Sequence, residues 1–373
     1  MEQSRMPSRR QALQSLAGLA ALGATGCTGT AQVDEGSEEA GSAAVDAAVD
    51  TVEVEEAIEN ASYAVAMITD VGGVDDESFN QLAWEGLEQL GEESDIAVSY
   101  FESADESEYA GSLELAVSMG NNLIWGIGYA TASAVEEAAE EYPNVSFAVI
   151  DNEFEDPASN LTGVTFRAQE ACFVAGYIAA RTSETGQVGF VGGVSSDALD
   201  AFEYGYRAGV AWAGAQDGAD VIVAAAYAGS FEDESAGQET AAALYAGNCD
   251  IVFHAAGNAG NGVIAAAEAA EALVIGVDSD QYSLAPQNML TSALKRVDEA
   301  VQEVSTQAAN GEAIGGANIE LGMTEDAVGI SEHHDLMDDA VYEAALELVE
   351  AIKDGEIVPP VDGASYQEFV AAL

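Results

Sequence analysis

The 373-residue chain carries 67 acidic residues against nine lysines and arginines, a formal charge of −58. Such a surface excludes nucleic acid and anionic membranes as direct partners, because both are polyanions bound through basic patches. Its three cysteines, Cys27, Cys172 and Cys249, are too few for a disulfide framework and share no metal-ligand spacing with the three histidines, so neither cofactor nor catalytic metal is expected.

Residues 1–26 place Arg5, Arg9 and Arg10 ahead of an apolar stretch over 12–24, followed by small residues before Cys27. The stretch is about a dozen residues where a spanning helix needs roughly 20, so it predicts an export signal rather than a span. Ser8-Arg9-Arg10 resembles a twin-arginine signal, and Ala24-Thr25-Gly26-Cys27 resembles a lipobox that anchors the exported protein to the outer face of the cell membrane through a lipid on Cys27. Cleavage near Ala24 with a free Cys27 is the alternative. Removing 1–26 takes away Glu2 and three arginines and leaves 66 acids against six bases. That imbalance usually means disorder, yet aliphatic residues and glycine are plentiful and regularly spaced. The charge is therefore expected on the surface of a folded body, screened by molar salt in an extreme halophile. Residues 28–60 hold ten acids and no base, without apolar periodicity, and predict a solvated tether over 27–60.

From Tyr63 onward, apolar runs of five to eight residues alternate with Ala/Glu-rich segments of helical period, which predicts parallel strands joined by crossover helices. Strands are predicted over 63–69, 96–101, 123–127, 146–151 and 161–166, with helices from about Ser78, Ser107, Thr131 and Glu170. A second series follows over 187–191, 221–226, 251–255 and 273–278. Strands over 289–294 and 319–323 and a helix over 338–353 complete the chain. About 310 residues exceed one such core, so two doubly wound units are predicted. Cys172 and Cys249 lie in apolar contexts, either paired or as buried free thiols.

Ligands of open α/β sheets sit beyond the carboxyl ends of the strands, which directs attention to Asp70, Gly126, Asp151, Gly192, Ser230, Gly257 and Asp278. The stretch from Ile68 to Gln81 is the most distinctive. Its glycines permit a tight turn, Ser78 is placed to cap the next helix, Asp70 faces the cleft, and Phe79 and Asn80 fall in the first helical turn. Asp75, Asp76 and Glu77 read as a charged first turn favoured by the helix dipole. Phe231, just past a strand, offers a second ring. Paired rings sandwich a flat heterocycle, and carboxylates accept hydrogen bonds from sugar hydroxyls. Lys295 is one of only two lysines; at the end of a short strand it donates to a ligand hydroxyl, neutralises Asp70 and Asp278, or forms a structural salt bridge. The turn from Gly257 to Gly262 fits neither phosphate-binding motif and reads as a site of close backbone approach to ligand.

In order and spacing, ITDVGGVDDESFNQLAWEG (68–86), VID (149–151), GNAGNGVI (257–264), VIGVDSDQY (274–282), LTSALKRVD (290–298) and AVGI (327–330) resemble the basic membrane protein family of lipoproteins, whose characterised members are purine nucleoside receptors. Read with the charge, the resemblance implies a halophilic archaeon's version. The resemblance implies an α/β type 1 periplasmic-binding-protein fold with two hinged lobes, here 61–166 with 282–325 and 167–281 with 326–373, opening about segments near Phe166, Asp280 and Met323. It also implies a non-enzymatic, lipid-anchored monomer that captures nucleosides for the permease of an ABC importer. Phe79 and Phe231 are then expected on the base, Asn80 and Asp151 on its edge, and Asp70, Asp278 and Lys295 on the ribose. Two other readings remain. Asp70 to Asp76 resembles the calcium-binding acid run of nucleoside hydrolases, although Ile68 stands where that pattern has an acid, and a ligand sensor is possible on the same fold.

Overall fold

The computed structural model describes residues 56–218 and 220–373. The expected export signal, Cys27 and the tether up to residue 55 lie outside the described residues. The folded body starts before the predicted end of the tether at residue 60, because Ile58 is buried against Ala64 and Met119.

The first lobe opens with β1 (Tyr63–Ile68), α1 (Phe79–Glu93), β2 (Ile96–Phe101), α2 (Tyr109–Met119), β3 (Leu123–Gly126), α3 (Ala132–Glu141), β4 (Ser146–Ile150) and β5 (Leu161–Phe166). The second holds α4 (Ala168–Thr182), β6 (Gln187–Gly192), α5 (Asp197–Asp217), β7 (Ile222–Tyr227), α6 (Glu234–Ala246), β8 (Ile251–Ala255), α7 (Ala259–Ala270), β9 (Leu273–Asp278) and β10 (Met289–Lys295). The chain then runs through α8 (Val297–Ala309), β11 (Ile319–Leu321), β12 (Val328–Ile330), α9 (Asp339–Lys353) and α10 (Gly363–Ala372). The two six-stranded sheets have equivalent orders, β11-β5-β4-β3-β1-β2 and β12-β10-β9-β8-β6-β7. Pairing is parallel except for β12, which runs antiparallel to β10.

Apolar strand residues buried on both faces, such as Val65, Met67 and Ile68 in β1, explain the continuous hydrophobic runs. Helices cover each sheet closely where glycine permits it. A Cβ at Gly209 would stand 1.8 Å from the Phe173 carbonyl oxygen, so α4 and α5 meet backbone to backbone. Cys172 and Cys249 are both buried and free.

The expected transfer of residues 282–325 to the first lobe needs correction. β10 pairs with β9, Ser292 opposite Gly276 and Leu294 opposite Asp278, so the chain remains in the second lobe past Asp280. It returns only at Arg296. There α8 packs Val297, Val301 and Val304 against Leu87, Leu90 and Trp125, and the Trp125 indole donates to Ser305 Oγ at 3.0 Å. The physical reason is the β9–β10 connection, which contains a single 3-10 turn over Gln281–Leu284 and no crossover helix. Gln281 secures it, its side-chain oxygen accepting from Val277 N and its own N–H donating to Ser292 Oγ. The lobes are thus joined at Arg167, at Arg296 and through residues 322–327.

Candidate functional site

Strand register sets the edge of the site. Ile68 lies opposite Gly126, and Gly126 opposite Val149, so Asp70, Gly128 and Asp151 emerge along one rim of the first sheet. The corresponding rim of the second sheet faces them across a cavity lined by residues of both lobes. All eight expected contact positions line it.

On the first-lobe side, Asp76 organises the turn. Its buried carboxylate accepts the N–H groups of Ser78 at 3.0 Å, Asn80 at 2.9 Å and Gln81 at 3.0 Å. It is therefore Asp76 that caps α1, whereas Asp75 and Glu77 are exposed as a solvated first turn should be. Ser78 makes no side-chain cap bond; its hydroxyl donates instead across the cleft to Asp278 Oδ2 at 2.7 Å. Both sequence expectations, a charged first turn including Asp76 and a capping Ser78, are corrected by one fact: three N–H groups converge on Asp76, and a carboxylate meets that demand better than a hydroxyl. Asn80 Nδ2 donates to Asp70 Oδ1 at 2.8 Å. Burial pushes the Asp70 carboxyl above its ordinary pKa, opposed by the hydrogen bonds from Asn80 and Gly72 N.

Lys295, 3% exposed, ends β10 and forms an ion pair with Asp151 at the end of β4. Among the possibilities read from the sequence, the structure thus shows a salt bridge, with Asp151 rather than Asp70 or Asp278 as partner. The ammonium also lies 4.6 Å from the Phe79 ring centroid, 5.2 Å from that of Phe166 and 5.7 Å from that of Phe202, a cation surrounded by aromatic faces. Asp278, opposite, has its pKa raised to about 6 by burial, with the Lys295 charge and the Ser78 hydrogen bond opposing the rise.

Phe231 follows β7 and fills the space beside Gly193, where a Cβ would stand 2.3 Å from the ring. Gly257 adopts φ +53°, a left-handed turn that lets Ala259 N donate to Phe231 O at 3.0 Å. The glycine therefore shapes the segment bearing the ring. The cavity also includes Tyr129, Leu199 and Phe202, none of which the sequence singled out. Phe202 sits within two turns of the Ser196 cap of α5, and that position beyond the end of β6 is the only signal that pointed to it. His254 is fully buried beneath the site, and burial lowers its pKa to about 4, leaving it neutral.

Chemically the cavity offers aromatic faces, carboxylate acceptors and one ammonium donor. Two α/β lobes of equivalent strand order, three connecting segments and a cavity at apposed strand ends define a type 1 periplasmic-binding fold, the architecture of ABC transporter solute-binding proteins. A crystal structure of such a solute-binding protein from Aeropyrum pernix aligns with a TM-score of 0.76 and 27% identity, over 83% of this chain and 98% of that one. The chain belongs to the Bmp family of ABC transporter substrate-binding proteins, PnrA-like, whose model matches residues 63–362. Its relatives include the CD4+ T-cell-stimulating antigen of Listeria monocytogenes, 39% identical over 319 residues, covering 80% of this chain and 88% of that protein. They also include the ABC transporter nucleoside-binding protein BmpA of Lactococcus lactis, 33% identical over 318 residues, covering 79% and 88%.

Proposed function

We propose that this substrate-binding protein captures nucleosides, purine nucleosides foremost, and presents them to the permease of an ABC importer. The observation that carries the reading is the cavity's composition: Phe79 and Phe231 with Asp70, Asp151, Asp278 and Lys295 around one space. The rings take the base, Asn80 and Asp151 its edge, and Asp70, Asp278 and Lys295 the ribose hydroxyls. With four aspartates, Asp76 included, against one lysine, the cavity disfavours a phosphate group, which points to the neutral nucleoside rather than the nucleotide. The name of the Lactococcus lactis relative supports the same class of ligand.

Export through Arg9-Arg10, a lipid on Cys27, a monomeric receptor on the outer face of the membrane and life in concentrated salt complete the reading. Among the described residues, no helix is long and apolar enough to cross a membrane. The hydrolase alternative is not favoured, because Asp76 is engaged by the N–H groups of α1 and Asp75 is exposed outside the cavity. Calorimetric titration with adenosine, guanosine and inosine in molar KCl should give saturable heats. Silence with all three would sink the nucleoside assignment, and release of free base from inosine would favour the hydrolase.

A further inference from the structure

The part of the cavity assigned to the base edge is built from acceptors. Asn80 is 2% exposed, and its amide nitrogen is held by two carboxylates, Asp70 Oδ1 at 2.8 Å and Asp76 Oδ2 at 3.2 Å. Carboxylate oxygens so placed only accept, so the amide nitrogen must face them and the amide oxygen must face away. Asn80 Oδ1 is buried and, among the described residues, has no hydrogen-bond partner, in a side chain that lines the cavity. Buried acceptors are ordinarily paired, so this one calls for a partner. Asp76 cannot turn to release the amide, because the same carboxylate holds three backbone N–H groups at the start of α1. Beside it, Asp70 Oδ1 accepts from Gly72 N at 3.0 Å as well as from Asn80. Its other oxygen, Oδ2, lies toward Gly128, another lining residue.

We propose that Asp76 is a specificity-determining positioning residue: together with Asp70 it fixes the Asn80 amide, so that Asn80 Oδ1 and Asp70 Oδ2 are the acceptors left for the edge of the base, which moves Asp70 from the ribose to the base edge and leaves the ribose to Asp278 and Lys295. The inference rests on the nucleoside reading and narrows it. The preferred base carries adjacent N–H donors, as the N1–H and 2-amino group of guanine do. Hypoxanthine retains only the N1–H, and adenine sets an unprotonated N1 against an acceptor. A site built around a ligand's donor discriminates strongly against analogues lacking it, because its own buried groups are then left unpaired.

The test is calorimetry on the intact protein in molar KCl at pH 8 with guanosine, inosine and adenosine. The expected order is guanosine, then inosine, then adenosine, each step about 10- to 100-fold in Kd, the effect of one hydrogen bond to a buried or charged acceptor. In Asp76→Asn the Asn80 amide loses one of the two carboxylates that hold it and keeps only Asp70, and the guanosine-to-adenosine ratio should fall by about tenfold. A purely structural role would weaken all three ligands alike and leave the ratio unchanged, which would overturn the assignment to Asp76. Adenosine binding as tightly as guanosine to the wild-type protein would overturn the acceptor row while leaving the nucleoside reading standing. No binding of any of the three would overturn both. The wild-type order decides the acceptor row whether or not the variant folds.

Discussion

Asp151 and Asp278 occupy corresponding places at the carboxyl ends of β4 and β9, and both have left-handed backbones, at φ 63° and 64°. Non-glycine residues held there cost of order 1–3 kcal/mol and persist where the surroundings over-determine them. Asp278 adds an electrostatic cost. Its pKa is raised to about 6 from an unfolded value near 4, so between those limits the folded protein binds a proton that the unfolded chain has lost. This group's contribution to stability therefore falls as pH rises through that window and stays low above it. Asp278→Asn should raise the melting temperature of the ligand-free protein at pH 8, by at most about 3 kcal/mol of stability, and match wild type near pH 4. A variant melting lower at pH 8 would mean that Lys295 and Ser78 more than offset the burial. At this scale much of the site was legible, because Asp70, Asp151, Asp278 and Lys295 are charges that interrupt apolar strand ends. Asp76 was hidden, since nothing in the run Asp75-Asp76-Glu77 shows which member turns inward. Phe202 was hidden because an aromatic on a helix reads as core.

Among the elements, the connecting segments carry the most information. Residues 162–171, TGVTFRAQEA, and 291–300, TSALKRVDEA, share Thr, Arg, Glu and Ala at corresponding places. The structure gives them the same form. Arg167 (φ −77°, ψ 61°) and Arg296 (φ −79°, ψ 70°) each precede a helix, and their N–H groups bond Leu321 O at 2.7 Å and Ala327 O at 2.8 Å. Each pairs with the glutamate three residues on, Glu170 at 2.8 Å and Glu299 at 2.7 Å. Phe166 of one copy corresponds to Lys295 of the other. The strands and most helices could be read from periodicity, yet the lobe assignment of 282–325 could not, because β10 follows β9 without a helix. The repeat at Arg296 was the signal that marked the return. Arg167 also reaches Glu320 at 3.2 Å and Glu325 at 2.6 Å, tying the third segment to the first, whereas Arg296 is an exposed pair. Arg167→Ala should therefore cost roughly 1–2 kcal/mol and Arg296→Ala within about 0.5 kcal/mol in denaturant titrations at equal salt. Equal losses would refute a special role for the Arg167 cluster.

For the molecule as a whole, composition correctly placed the charge outside. Among the described acids only Asp76, Glu203 and Asp278 are buried, and two of those line the cavity. The bases are placed differently. Of the six beyond residue 26, Arg167, Lys295 and Arg296 stand at the first two connections, and Lys353 pairs with Asp326 of the third at 2.7 Å. Unscreened, such a body should repel itself, so the melting temperature should climb steeply from 0.1 to 3 M KCl as the screening length shrinks from about 10 Å to under 3 Å. A flat response would remove the halophilic reading. The same layout has a mechanical consequence. With four of the six cations at the connections and both lobes negative, the lobes should repel one another, and salt concentration should set how strongly. On dilution, grip on the solute should therefore slacken before the fold gives way, so that affinity falls at a higher salt concentration than the one at which the protein melts.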